Sequence, residues 1–188
     1  HFGYACHFTG SNGTIKNGAM TIDDNSNDTW ALAVNGPYAD HFTIDGVTLN
    51  KGVLIQHGTD VQLNDLTVTT PEHKSAAAVQ INENCSATIN GGSYTATGYA
   101  ASAVHNNGGT LTINGGTYYG GGTAVQVQKG TLIINDGHFS CGPYDEPYGY
   151  KYLINCIDAA WKNGTAKISI KGGTFVKFDP SDSASENP

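Results

Sequence analysis

TLTINGGTY (110–118) recurs along the chain, and its copies decide the fold. Each copy has a central aliphatic residue, here Ile113, and a large apolar residue five positions later, here Tyr118. Between them lies a turn rich in Asn, Asp and Gly, residue types that tolerate positive φ and form local hydrogen bonds. The other copies are SATINGGSY (86–94), TLIINDGHF (131–139), KISIKGGTF (167–175), HFTIDGVTL (41–49), DVQLNDLTV (60–68) and GTIKNGAM (13–20).

Variable lengths of chain separate these copies. Neighbouring central residues lie between 19 residues apart (Ile44 to Leu63) and 36 residues apart (Ile134 to Ile170), yet the apolar offsets inside each copy stay constant. A constant pattern at variable spacing indicates equivalent coils that carry loops of different lengths. We therefore expect seven stacked coils with the central residues in one buried row, which comprises Ile15, Ile44, Leu63, Ile89, Ile113, Ile134 and Ile170.

A second apolar segment accompanies the copies. It consists of a small or aliphatic residue, a β-branched residue and then an amide or imidazole, as in Ala103-Val104-His105. Strand side chains alternate between two faces, so the β-branched residues are expected to point inward: Val34, Ile55, Val79, Val104, Val125 and Ile154. The residues that follow them are expected to point outward in one column: Asn35, Gln56, Gln80, His105, Gln126 and Asn155.

Such coils, with aliphatic and aromatic ladders, resemble the right-handed parallel β-helix of pectin-lyase-like proteins. The expected fold class is all-β: a single-stranded right-handed parallel β-helix (β-solenoid) of about seven coils, spanning residues 13–178. Because the chain starts with His1 rather than Met, we expect a piece of a longer protein. Residues 1–12 would then be an N-terminal cap or linker and residues 179–188 a C-terminal tail.

The closing stretch GGTFVKFDP (172–180) is similar to the ends of β-helix proteins from gut bacteria and their phages. In such proteins this ending implies a virion or cell-surface setting. The resemblance therefore implies a virion or extracellular location and assembly with other protein subunits.

Composition excludes several classes of partner. The chain has a formal net charge of −7, and its nine basic residues are all Lys. An acidic chain without Arg is a poor candidate for nucleic-acid recognition, and no apolar run reaches the roughly 20 residues of a membrane span. The sequence has no metal-binding or cofactor-binding motif, since loop 22–30 lacks the glycine and closing Glu of an EF-hand. The cysteines form no CxxC pair; Cys141 and Cys156 either pair across the insertion between them or are buried thiols.

Enzymatic activity is the alternative that the resemblance raises. Pectate-lyase-type members use calcium-bound carboxylates and usually an Arg base, and this chain has no Arg. Gln56-His57-Gly58 only loosely resembles the GHG motif of polygalacturonases, and an RIK motif is absent. A glycosidase needs two nearby carboxylates, and Asp60 and Asp65, which flank one strand, are the candidate pair. In the structural interpretation Asp65 is a turn residue equivalent to Gly91, and Asp60 is solvated.

Ligand contact has two candidate regions. Gln80, His105 and Gln126 of the outward column form either a structural amide ladder or a polar groove for a glycan. The second region is a loop and its surroundings, whose aromatic side chains offer stacking surface to sugars or proteins, or form a satellite cluster or subunit contact. Its residues are Tyr144, Tyr148, Tyr150, Tyr152 and Trp161.

These observations lead to one functional hypothesis and two alternatives. The hypothesis is a non-enzymatic structural or adhesion module of a phage virion (a tail, fibre or decoration protein) or a bacterial surface, contacting a host glycan or receptor. One alternative is a polysaccharide-active glycoside hydrolase or lyase of the pectin-lyase-like type. The other is a pure assembly subunit that binds no glycan.

Overall fold

Parallel strands wind into a β-solenoid of about five turns. The computed structural model describes residues 4–23, 29–36, 39–72, 76–142 and 152–181. The elements are β1 (Tyr4–Phe8), β2 (Thr14–Met20), β3 (Trp30–Asn35), β4 (Thr43–Leu49), β5 (Gly52–His57), β6 (Val61–Asn64), β7 (Leu66–Thr70), β8 (Ala77–Asn82), β9 (Ser86–Ala96), β10 (Ser102–Gly120), β11 (Thr123–Ile134), β12 (His138–Cys141), β13 (Ile154–Cys156), α1 (Asp158–Lys162), β14 (Ala166–Ile170) and β15 (Thr174–Phe175).

The strands stack in parallel on three faces. Face A contains β1, β3, β5, β8, the starts of β10 and β11, and β13. Face B contains the start of β2, the start of β4, β6, the start of β9, the middle of β10, the end of β11 and β14. Face C contains the ends of β2, β4, β9 and β10 together with β7, β12 and β15.

The central residues of the repeat form one row on face B, which confirms their predicted alignment. The number of coils differs from the prediction, because the solenoid has about five turns rather than seven. The first and last members of the row, Ile15 and Ile170, have a neighbour on one side and are half-buried. Five members are enclosed on both sides and fully buried: Ile44, Leu63, Ile89, Ile113 and Ile134.

An aromatic stack fills the core beneath face C. Neighbouring ring centroids lie 5.2 Å apart for Tyr94 and Tyr118, 4.8 Å for Tyr118 and Phe139, and 5.1 Å for Phe139 and Phe175, and the rings are nearly parallel. The hydroxyl of Tyr94 donates to the carbonyl of Gly91, and burial raises the pKa of this phenol. Each buried phenol therefore keeps a hydrogen-bond partner inside the solenoid.

A ladder of asparagine side chains follows the central row at the turn from face B to face C. The amide of Asn90 donates to the Oδ1 of Asn64 at 2.9 Å, that of Asn114 donates to Asn90 at 2.7 Å, and that of Asn135 donates to Asn114 at 2.7 Å. An amide both donates and accepts, so one residue type connects successive turns. The turns were predicted to be rich in Asn; the side-chain ladder was not.

One asparagine lies inside the core. Asn106 is fully buried, in the row between Ile81 and Val127. Its amide nitrogen donates to the carbonyls of Gly109 and Thr131 at 3.1 and 3.0 Å. Its Oδ1 accepts from the backbone N–H groups of residues 108 and 109 at 3.1 and 2.9 Å. All four hydrogen-bonding positions of the amide are occupied, so this polar group fixes the turn from face A to face B.

The first and last described segments of the chain form the two ends of the solenoid. Strand β1 lies in the predicted N-terminal segment 1–12 and pairs with β3, and the ring of Phe8 lies 4.9 Å from that of Phe42. At the other end, the ring of Phe178 lies 6.4 Å from that of Phe175, at the end of the aromatic stack. Within the described part of the chain, no helix is long and apolar enough to cross a membrane.

Candidate functional site

A polar groove of about 540 Å³ runs along the corner between faces A and B. Strands β5 and β8 both end at this corner, and parallel strands place their ends at the same edge of a sheet. Gly58 continues the chain from β5 at φ +151°, where an added Cβ would lie 2.5 Å from the carbonyl oxygen of Ala39. The side chains that line the groove include Asp40, Gln56, His57, Thr59, Asn82, Glu83, Asn84, Cys85 and Asn107.

Hydrogen bonds favour the ionised form of Asp40 at this corner. The Oδ1 of Asp40 accepts from the Thr59 hydroxyl at 2.6 Å and from the Thr59 backbone N–H at 2.9 Å, and these bonds lower the pKa of Asp40. Glu83 forms an ion pair with Lys129. A carboxyl that acts as a general acid needs a raised pKa, and the surroundings of Asp40 act in the opposite direction.

The predicted catalytic pair Asp60 and Asp65 is divided between two corners. Asp60 lies at the A–B corner, where His41 Nδ1 at 2.8 Å and the Gln62 amide at 2.7 Å contact its carboxylate and lower its pKa. Asp65 lies beyond the other end of β6, in a turn at φ +48°, next to Gly91 of the following coil. The four-residue strand β6 lies between the two carboxylates.

The thiols show no sign of nucleophilic activation. Cys85 lines the groove but is buried, and burial raises the pKa of its thiol. A nucleophilic cysteine needs a lowered pKa. Burial also raises the pKa of Cys156, and no disulfide joins this residue to Cys141. The structure therefore has two thiols here, and they are half-buried rather than buried.

Face A carries the predicted outward column over four turns. Gln80, His105, Gln126 and Asn155 occupy equivalent positions on neighbouring strands and are half-buried. The Asn155 amide donates to Gln126 Oε1 at 2.7 Å, which is a rung of the ladder interpretation. The Nε2 atoms of His105 and Gln126 are buried without a hydrogen-bond partner in the described residues.

The predicted column is wrong at its N-terminal end. Leu54, rather than Gln56, lies opposite Gln80, and Asn35 lies opposite His57 after an irregularity in β3 and β5. A shift of two residues keeps the same side chains inward. The hydrophobic pattern was therefore equally compatible with both registers.

We expect His105 to make the fold sensitive to mild acid. Burial lowers the pKa of His105 below the usual value of 6.5. At a pH between the two pKa values, the imidazole is protonated in the unfolded chain and neutral in the folded chain. The free energy of unfolding should therefore fall as the pH drops through about 6.5 towards the folded-state pKa. Urea unfolding at about pH 7.5 and about pH 5 should show a smaller loss for His105→Gln than for the wild type.

The matched control for this prediction is His138→Gln, which changes an exposed histidine on face C. This variant should keep the pH dependence of the wild type. Equal pH dependence of His105→Gln and the wild type would contradict the assignment of His105 as a buried neutral imidazole.

The aromatic candidates are only partly placed. Trp161 lies on α1 and is 59% exposed, so its ring is accessible, and Tyr152 is half-buried. Tyr144, Tyr148 and Tyr150 lie outside the described residues, and their proposed contacts stay a prediction. Among the residues that the structure describes, no three His, Cys, Asp or Glu side chains form a metal-binding group.

The groove itself was missed by the sequence interpretation. Its signal is the polar run at the ends of β5 and β8, as in Asn82-Glu83-Asn84. A single sequence does not show which corner loops meet, so these runs do not predict a groove on their own.

Comparison with protein-family models, curated proteins and solved structures gives no match. The fold is therefore defined by its own strand register, as a parallel β-solenoid.

Proposed function

We propose that the chain is a non-enzymatic adhesion or structural module of a virion or bacterial surface, which binds a neutral glycan in the A–B groove. The observation that supports this most directly is the chemistry of the lining. Gln56, Asn82, Asn84 and Asn107 supply amides, and His57 and Thr59 add further polar groups. Sugar hydroxyls donate and accept hydrogen bonds, so they match such a lining.

The charge of the groove favours a neutral ligand. Asp40 supplies a carboxylate, Glu83 is a second carboxylate whose charge is offset by Lys129, and no Lys is among the described residues that line the groove. A polyanion such as a pectate chain would face like charges, which oppose binding. A neutral ligand differs from the acidic substrates of the lyase and polygalacturonase activities that the pectin-lyase-like resemblance implies.

The arrangement of carboxylates also favours binding over hydrolysis. Hydrogen bonds lower the pKa of Asp40 and Asp60, and neither has the environment of a general acid. Asp65 lies at another corner of the solenoid. A rigid scaffold with a polar groove, in which the predicted carboxylates Asp60 and Asp65 lie apart, suits recognition without turnover.

A glycan array followed by calorimetry tests this proposal. The wild type should bind a neutral oligosaccharide, and Asn107→Ala should weaken binding about tenfold, the effect of losing one or two hydrogen bonds. Thr112→Ala, on the outer surface of face B, is the matched control and should bind like the wild type. Absence of binding to every neutral glycan would refute the proposal. Release of reducing ends that disappears in Asp60→Asn would replace it with the hydrolase alternative.

A further inference from the structure

The last coil leaves one strand edge without a neighbour among the described residues. Strand β14 pairs with β11 and β15 pairs with β12, and no described strand lies on their other side. The backbone N–H of Lys171 donates to the Ile134 carbonyl at 2.8 Å. Backbone groups alternate in direction along a strand, so those of Ile168 and Ile170 point towards the open edge.

The apolar rows of the core end half-covered at this edge. Ile168, Ile170 and Phe175 are half-buried. Their partners in the preceding coil, Leu132, Ile134 and Phe139, are completely buried. Phe178 packs against Phe175, whereas one more strand beside β14 would cover Ile168 and Ile170 as the last coil covers Leu132 and Ile134.

The lysines at this end differ from the other described lysines. Lys16 lies 3.5 Å from Asp45, Lys129 pairs with Glu83, and Lys162 lies 3.8 Å from Asp158. Lys51 is buried and donates to a backbone carbonyl. The described lysines that are exposed and contact no carboxylate of the described residues all lie at this end: Lys167, Lys171 and Lys177. In a chain of net charge −7, these three lysines and Asp179 leave a local excess of positive charge over residues 166–181.

We infer that this edge docks an extended acidic segment of a partner protein, which adds a parallel strand to β14, whereas the ring of Phe178 lies against Phe175 of β15. The open backbone groups supply the hydrogen bonds of strand addition. The segment has aliphatic side chains opposite Ile168 and Ile170, and carboxylates opposite Lys167 and Lys171. Backbone pairing provides affinity, while the charges select the partner and its register.

A second copy of the chain fits this edge poorly. Continuing the solenoid head to tail would place the opposite edge, strand β2, against β14, with Ile15 next to Ile170. That register brings Lys16 against Lys171 and Gly13 against Ile168. Like charges would meet and one apolar residue would find no side chain, so the two edges of the molecule are not complementary.

A designed peptide tests the inference on the whole chain. The probe is EVSVEG, which repeats the pattern of residues 167–172 with Glu in place of both lysines and Val in place of both isoleucines. Fluorescence anisotropy should show saturable binding with a dissociation constant below about 1 mM. A peptide with Gln for both Glu should bind about tenfold more weakly, and one N-methylated at alternate residues should not bind. No saturable binding of the probe, or equal binding of all three peptides, would overturn the inference.

Two charge-reversal variants locate the site. Lys167→Glu should weaken binding of the probe about tenfold, whereas Lys16→Glu, at the opposite edge, should leave it unchanged. Equal effects of both variants would show a nonspecific charge effect and overturn the inference.

Sedimentation of the protein alone provides a further check. Self-association that Lys167→Glu abolishes would assign the edge to a second copy and refute a partner segment. Binding in the A–B groove is independent of each of these results.

Discussion

Replacing Ile113 by aspartate is expected to unfold the domain or make it aggregate. Ile113 is completely buried between Ile89 and Ile134 in the central row of face B. The substitution removes about 1.5–3 kcal/mol of side-chain burial. It also places an ionisable group in a dry row, where no partner offsets the loss of hydration. Together these effects exceed about 4 kcal/mol, a large part of the roughly 5–15 kcal/mol that stabilises a domain.

The neighbouring residue provides the control for this result. Thr112 is half-buried and lies on the outer side of the same strand, beside Thr88 and Ile133. Thr112→Asp should change stability by no more than about 0.5 kcal/mol, as outward substitutions usually do. Thermal unfolding followed by circular dichroism measures both variants. Similar melting temperatures for Ile113→Asp and Thr112→Asp would contradict the assignment of inner and outer faces.

Replacing Asn106 by leucine should be the second most damaging change. Leucine approximates the size of the side chain and suits its apolar neighbours Ile81 and Val127, yet it removes four hydrogen bonds. Each backbone group that is left buried without a partner costs about 1–3 kcal/mol. We therefore expect a loss of several kcal/mol, measured by urea unfolding, despite the gain in hydrophobicity.

Asn107→Ala separates this effect from a general cost of removing an amide. Asn107 follows directly in the chain, is half-buried and lines the groove. Its replacement should cost less than about 1 kcal/mol. If Asn106→Leu were as stable as the wild type, the buried amide would not hold the turn and the hydrogen-bond assignment would be wrong.

The apolar rows could be predicted because one physical rule governs them. Residues such as Ile89 and Tyr94 recur at the same offset in each copy, and burial of equivalent residues in successive coils is what stabilises a solenoid. The repeat pattern predicts burial less well at the two ends of the solenoid. Ile15 and Ile170 match the pattern as well as the inner residues do, although a terminal coil cannot be enclosed on both sides.

Polar positions were harder to predict, because hydrophobic alternation does not define their partners. Gln56 matched the outward column by sequence, but the register of β5 and β8 places Leu54 there. Asn106 interrupts an otherwise apolar row, and its role depends on backbone groups at residues 109 and 131. The groove depends on loops from several coils. Such contacts follow from the folded register and are absent from any local pattern.

The asparagine ladder gives the solenoid an electrical polarity along its axis. Its three amide–amide bonds all point from a later coil to an earlier one, so their dipoles add, as peptide dipoles do in a helix. The register places Asp45 beside Asn64, at the end where an amide hydrogen remains. Ile170 pairs with Ile134, so Lys171 lies beside Asn135. At this end of the ladder, the amide oxygen of Asn135 accepts no hydrogen bond from another asparagine of the ladder. Lys171 thus flanks the row at the end that its dipole favours, whereas Asp45 at the other end also pairs with Lys16, so the two ends of the rod differ in charge.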